Sequence, residues 1–466
     1  MNQAARTFAL VGTVVLILLA FHWLPAITVG GTALRHVNIL ADLLPEANRQ
    51  QSDADIIPTP TPARPPALAP DTVADQQPVV EAYRPEGVTM IEDYSGGQHG
   101  GMSHFYQMLH QRNTLDRPVR IAYFSDSFIE GDVFTAHLRE QLQQQFGGNG
   151  VGWVDPIDKP QGFRLTIKQK FKHFKEYEVM SSPFVYAHEG INQRYFVPLE
   201  GASVWTRGTD YCPHAQHWQQ STLYLRTKGG VQVGTCLNDQ QDGWRSCQVD
   251  SSLHIQQLRS AADTIASVSY RFTAVTSDTY IYGMALESRR GVILDNFAMR
   301  GSSGSTLAKI PAGVLSDFSR LRPYDLIVLH FGSNVVSDQS RAANYKAYTR
   351  LIGNVIAHLR QAYPETSILL VSVSDRSQRT PEGMRTISGI ESLAAYQQIL
   401  ADSQRVAYFN LFQAMGGRES MVRLVEQGLA NKDYTHLTHN GGKQLSTCLY
   451  ESLVAGYENY RRRHQQ

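Results

Sequence analysis

Four short stretches of the sequence carry the residue types that acyl transfer needs. Ser125-Asp126-Ser127 follows the apolar run Val119–Phe124, and Arg300–Thr306 reads RGSSGST. Gly332-Ser333-Asn334 follows DLIVLHF, and Asp433 stands three residues before His436 in DYTHLTHNGG. A serine hydroxyl is a weak nucleophile at neutral pH and needs a base beside it. An imidazole suits that task because it titrates near the working pH. A carboxylate fixes the imidazole tautomer and steadies its charged form. The tetrahedral oxyanion needs donors, supplied by a backbone N–H at a serine turn, another at a glycine, and an asparagine NH2.

For these stretches to meet, the chain must bring distant loops together. Val119–Phe124, Asp325–Phe331, Ser367–Val373 and Val406–Asn410 are apolar and β-rich, as buried strands are. Helical periodicity predicts helices over Met102–Gln111, Asp132–Phe146, Ser340–Ala362, Thr386–Asp402 and Gly441–Arg461. Strands alternating with helices imply a parallel sheet covered on both faces. In such sheets functional groups gather beyond the carboxyl ends of the strands, and each of the four stretches lies just past a predicted strand or between the last strand and the final helix. Phe163–Leu286 breaks the rhythm with alternating strands and no long helical pattern, so it reads as an all-β insertion within the α/β domain. In that module Gly229-Gly230 gives a hairpin signal between STLYLRT and VQVGTCL. Its aromatic residues, Trp218, Tyr224, Trp244, Tyr270, Phe272, Tyr280 and Tyr282, are expected mostly in the module's own core, with stacking on sugar rings as the other use.

The four blocks, in this order, resemble the SGNH (GDSL-type) hydrolase superfamily, over about residues 119–150 and 292–460. The resemblance implies that Ser127 is the nucleophile, His436 the base and Asp433 its orienter. It also implies that the Ser127 N–H, the Gly304 N–H and the Asn334 side chain form the oxyanion hole. Ser125 stands where the family has glycine, Val335 follows Asn334 where an acid is common, and Gly301 competes with Gly304. His439 lies close to His436, while His137 and His330 fall in predicted buried elements as core histidines. Asp126 is read as bracing the turn. The implied fold is α/β, a flavodoxin-like parallel sheet flanked by helices and interrupted by an all-β sandwich-like insertion. IEDYSG at 91–96, FIEGD at 128–132 and FGGNGVGWV at 146–154 extend the likeness to extracytoplasmic bacterial SGNH esterases with a carbohydrate-binding-like β module, peptidoglycan O-acetylesterases among them. Anchored SGNH proteins associated with membrane-bound O-acyltransferases are also similar. The implied activity is removal of O-acetyl groups from a cell-envelope polysaccharide, with no metal or cofactor. Transfer of acetyl to a sugar hydroxyl, in partnership with such an acyltransferase, is the first alternative. Glycan binding without catalysis is the second.

Arg6 precedes Thr7–Ile27, whose uncharged core is long enough to span a bilayer. A retained single-pass anchor is expected, with a cleaved signal peptide as the rival. Pro-dense sequence from Asp53 to Pro78 then reads as a semi-extended spacer. The expected layout is an anchor at 1–30, a membrane-proximal and linker segment at 31–82, an α/β domain at 83–160 and 291–466, and a β module at 161–290. Together with the resemblance, these features imply a protein of the bacterial inner membrane with its catalytic domain expected in the periplasm. Cys236 and Cys247 could form a disulfide in that compartment, with free thiols as the alternative. The formal net charge of the 466 residues is +1, without basic clusters, which argues against nucleic-acid binding.

Overall fold

The computed structural model describes residues 81–97, 101–159 and 162–464, together with residue 78 and the dipeptides Thr28–Val29 and Thr32–Ala33. The chain divides into two units, 1–63 and 64–466. In the first, Thr28–Val29 and Thr32–Ala33 pair antiparallel. The expected anchor Thr7–Ile27 and nearly all of the Pro-rich spacer lie outside the described residues. Among the described residues no helix is long and apolar enough to cross a membrane.

In the second unit six strands form a sheet: β1 (Glu92–Asp93), β2 (Val119–Ser125), β3 (Val292–Ala298), β4 (Leu326–His330), β5 (Ser367–Val371) and β6 (Ala407–Phe409). Their order is β3-β2-β4-β5-β6-β1. All neighbours run parallel except β1, which is antiparallel to β6. Every residue of β2, β4, β5 and β6 is buried, because helices cover both faces. Period-two alternation sorts the side chains into two cores. Ala122, Phe124, Ile327, Leu329, Ile368 and Leu370 face the helices Ala312–Leu321, Ala342–Ala362 and Ile390–Gln404. Ile121, Tyr123, Val328, Leu369 and Val371 face Ser103–Gln111, Thr135–Phe146 and His439–His464. The sheet is therefore mixed rather than wholly parallel, by one short edge strand.

Between Gly152 and Glu287 the chain builds a separate antiparallel sheet of nine strands. The two strands around Gly229-Gly230 exist, but the hairpin does not. Trp218–Thr227 pairs with Gln256–Ile265 and Thr279–Glu287, whereas Val231–Leu237 pairs with Arg245–Val249 and Ser267–Thr273. The two glycines thus carry the chain between separate parts of the sheet. The module buries Trp218, Tyr224, Tyr270, Phe272, Tyr280 and Tyr282, and leaves Trp244 half-buried. Cys236 and Cys247 do not bond; all four cysteines are free. Cys247 sits opposite Val233, three residues from Cys236. An odd offset puts the two thiols on opposite faces of the sheet.

A buried ionic net ties this module to the α/β sheet. Glu287, at the end of the last module strand, takes Arg120 of β2 at 2.7 Å and Arg322 at 2.9 Å. Arg322 also reaches Asp295 of β3 at 2.6 Å. Burial favours neutral Glu287, but the two guanidinium groups hold its carboxyl down to about 2.

Candidate active site

β2 ends where Asp126 turns the chain out of the sheet. The Asp126 carboxylate accepts the Phe128 N–H at 2.9 Å and caps the 3-10 turn that opens the segment Ser127–Asp132, which kinks at Glu130 and Gly131. Ser127 therefore opens a short helix beyond the carboxyl edge of β2. Its own N–H has no partner among the described residues. Ser125, in the place of the family's glycine, is fully buried, and its hydroxyl donates to the His330 carbonyl at 2.5 Å. The extra side chain is thus used to pin β2 to β4.

The opposite wall is the loop before the last helix. Asp433 Oδ1 accepts the Thr435 and His436 N–H groups, each at 3.0 Å, which closes a tight Asx-type turn. Tyr434 takes a left-handed φ of +54° within it, and its carbonyl accepts the Ser377 N–H. The turn leaves Asp433 Oδ2 2.8 Å from His436 Nδ1, and His436 Nε2 lies 2.9 Å from Ser127 Oγ. Side chains 309 residues apart are brought into one hydrogen-bonded line. Burial draws the Asp433 carboxyl upward, but the bonds from the His436 N–H, the His436 ring and the Thr435 N–H outweigh it and hold it below the ordinary carboxylate value. The His436 and Asp433 side chains keep 39% and 49% of their exposure, so the line is open to solvent. His439 stays apart from it, its ring packed against Phe163 and Tyr211. His330 is buried, with its Nδ1 3.1 Å from the Tyr123 hydroxyl, and burial pushes it down to about 3. His137 meets the Tyr211 hydroxyl at 3.0 Å.

The two remaining candidates converge on the same corner with their donors engaged. Asn334 Nδ2 donates to Asp126 Oδ2 at 3.0 Å and to the Ser302 carbonyl at 3.1 Å. The Gly304 N–H donates to Ser302 Oγ at 3.0 Å. Gly304 has a φ of +84°, and a Cβ there would meet the Phe331 ring at 2.6 Å, so the turn requires glycine. Gly301 also has positive φ, with Met180 as its sole near contact at 3.9 Å. Two residues escaped the sequence reading. Ser302 engages both expected donors, and its signal was only its place between two glycines. Arg376 donates to the Ser333 carbonyl at 3.0 Å and to Thr435 Oγ1 at 3.2 Å, lacing the asparagine turn to the histidine loop. It stands just past β5, where the carboxyl-edge rule would have found it.

Asp126 is 1% exposed. Burial pushes its carboxyl up to about 6, against the pull of the Phe128 N–H, His436 and Asn334. A folded pKa above the unfolded value means that the folded state holds the proton more tightly. Its stabilising contribution is then complete below about pH 4 and lost as pH rises through about 6. The difference amounts to about 3 kcal/mol. Relative to Asp126→Asn, the wild type should lose about that much unfolding free energy between those pH values, read by urea denaturation. Parallel pH profiles for the two proteins would remove this assignment.

A cavity of about 780 Å³ lies between Glu130–Asp132, at the far end of the segment that Ser127 opens, and module residues that include Tyr177 and Arg194. Ser127 does not line it. Among the described residues no cluster of three His, Cys, Asp or Glu side chains could hold a metal ion.

No family model and no curated protein matches the sequence. Solved structures do. A peptidoglycan O-acetylesterase aligns with a TM-score of 0.64 at 18% identity, over 79% of this chain and 99% of its own. A family two carbohydrate esterase from Cellvibrio japonicus aligns over 62% of this chain and 99% of its own, at 8% identity and a TM-score of 0.23. A carbohydrate acetylesterase from Sinorhizobium meliloti covers 35% of this chain and 79% of its own, at 15% identity and a TM-score of 0.25. In its described residues the chain, an α/β domain with an attached β module, shares the fold of the peptidoglycan O-acetylesterase.

Proposed function

We propose that this protein removes O-acetyl groups from a cell-envelope polysaccharide through a serine-bound acetyl intermediate. The observation that carries the reading is the unbroken line Asp433–His436–Ser127, with contacts of 2.8 and 2.9 Å. Ser127 Oγ attacks the acetyl carbonyl while His436 Nε2 takes its proton. The Nδ1–H, held on Asp433, keeps the ring in the tautomer whose Nε2 is free to accept. The oxyanion is met by the unpartnered Ser127 N–H, with the Gly304 N–H and Asn334 NH2 released from Ser302 toward it. His436 then returns the proton to the departing sugar oxygen, and a water activated by the same ring releases acetate. A polysaccharide rather than a small ester fits a solvent-open line flanked by a broad cavity and a β module. The fold likeness to a peptidoglycan O-acetylesterase supports that class. Attachment to the inner membrane through Thr7–Ile27 and a periplasmic site belong to the same proposal.

The test is a time course of acetate released from acetylated cell-wall and capsule fractions by the full chain, with free oligosaccharide added in a parallel arm. Acetate in solution supports hydrolysis. Acetyl recovered on the oligosaccharide, with little free acetate, would replace hydrolysis by transfer. Retention on insoluble glycan with no acetate released in either arm would overturn the enzymatic reading.

A further inference from the structure

The β module carries a second constellation, away from Ser127. Lys168, Lys170 and Lys172 are exposed at alternate positions of the strand Ile167–Glu178 and so share one face. The neighbouring strand places Arg207, Trp205 and Ser203 opposite them in turn. The next strand sets Ser269 beside Trp205 and Arg271 beside Ser203. Five cations, Lys168, Lys170, Lys172, Arg207 and Arg271, therefore occupy one patch. None of them forms an ion pair with a carboxylate among the described residues. Natural surfaces intersperse the two signs, and like charges gathered on one face repel one another.

Two indoles are set into the patch. Trp205 is half-buried, with Lys170 Nζ 5.4 Å from its ring centre and its N–H fixed on Asp239 at 2.7 Å. Trp244 is half-buried beneath the Arg271 guanidinium, 3.8 Å from its ring centre. It fits there because Gly234 has no side chain; a Cβ would stand 3.3 Å from the indole. Of these residues Lys170, Lys172, Trp205, Trp244 and Arg271 line a groove of about 220 Å³. Stacking on Trp244 holds the guanidinium in place, and it makes no hydrogen bond to the protein among the described residues. Such a groove suits a ligand with apolar ring faces and negative charge. The C–H face of a pyranose packs on an indole, and a sugar carboxylate takes the lysine and arginine N–H groups.

We propose that this groove binds an anionic polysaccharide through its carboxylates. The near-zero net charge of the whole chain gives no long-range field for nucleic acid. The strand that supplies Lys170 and Lys172 continues, past a bulge at His173, to Glu176–Glu178 on the cavity beside the Ser127 turn. From residue 171 to 177 that path is about 20 Å at roughly 3.3 Å per residue. A glycan gripped at the groove is thereby kept close to the hydroxyl line. The assignment concerns binding alone and holds whether or not Ser127 is a nucleophile.

The experiment is affinity electrophoresis of the full chain in native gels containing polygalacturonate or neutral dextran, with a single-stranded DNA gel shift alongside. Polygalacturonate should retard the wild type and dextran should not. Trp244→Ala, and separately the exposed pair Lys170→Gln with Lys172→Gln, should each weaken retardation about tenfold, close to 1.4 kcal/mol. Both should keep the wild-type thermal transition and the wild-type hydrolysis of a chromogenic acetate. Absence of retardation, equal retardation by dextran, DNA bound as tightly as polygalacturonate, or full retardation in both variants would each overturn the proposal.

Discussion

Replacing Ser127 with alanine should lower acetate release at least about a thousandfold, while leaving retention on polysaccharide unchanged. The size follows from what the hydroxyl does in the proposed reaction. It forms the covalent bond, and among the described residues no other side chain is hydrogen-bonded to His436 Nε2 to substitute for it. His436→Ala should cost a similar factor, because an unassisted serine is almost fully protonated at neutral pH. Removing both should cost little more than removing one, since a nucleophile and its base act as one unit. Asp433→Asn belongs with them on a smaller scale. Its carboxylate is half exposed and therefore partly screened, but it sets the ring tautomer and ties the backbone turn that presents the ring. Single-turnover release from a labelled acetate ester, measured for the four proteins, checks the order. A Ser127→Ala protein that still releases acetate at a tenth of the wild-type rate would remove the acyl-serine step, whatever the fate of the fold.

The contrast between what the sequence revealed and what it hid follows from the range of the interactions. β2, β4 and β5 were legible because burial on both faces demands continuous apolar runs. That Ser127, Asn334 and His436 would come to one corner was legible because a sheet of that kind delivers its carboxyl-end loops to one edge. The bracing role of Asp126 followed from its place beside the serine, and the structure gives it two donors, the Phe128 N–H and Asn334. The failed hairpin at Gly229-Gly230 is a different matter. Strand pairing in the module is decided by which faces must be buried together, and two glycines are compatible with any chain reversal. The disulfide expectation failed on register, a quantity that spacing alone does not carry. Ser302 and Arg376 were missed for a third reason. They act through a hydroxyl, a backbone carbonyl and a guanidinium directed at backbone atoms, and such contacts leave no fixed spacing in the sequence. The cationic face of the module was missed, although IKQKFKHFK at 167–175 carries lysines at alternate positions. Only the register revealed that Arg207 and Arg271 join the same patch.

The second large effect belongs to Asn334. Alanine at this position should lower kcat about a hundredfold with little change in KM, as loss of one oxyanion donor does when the charge develops only in the transition state. The resting structure makes the expectation demanding. Both hydrogens of Asn334 Nδ2 are already given, one to Asp126 and one to the Ser302 carbonyl. Asn334 could therefore serve catalysis in two ways, as a donor to the oxyanion or as a brace that keeps Asp126 and the Ser127 turn in place. The two roles separate in Asp126→Asn, which weakens the brace and leaves the Asn334 amide available. If donation dominates, Asp126→Asn should retain most of kcat while Asn334→Ala loses about two orders of magnitude. If bracing dominates, the two variants should fall together, and the thermal transition should fall with them. Ser302→Ala sharpens the comparison, since it frees the Gly304 N–H without touching either asparagine contact; activity equal to or above wild type is expected. A silent Asn334→Ala would take Asn334 out of the oxyanion hole and leave that charge to the Ser127 and Gly304 N–H groups alone.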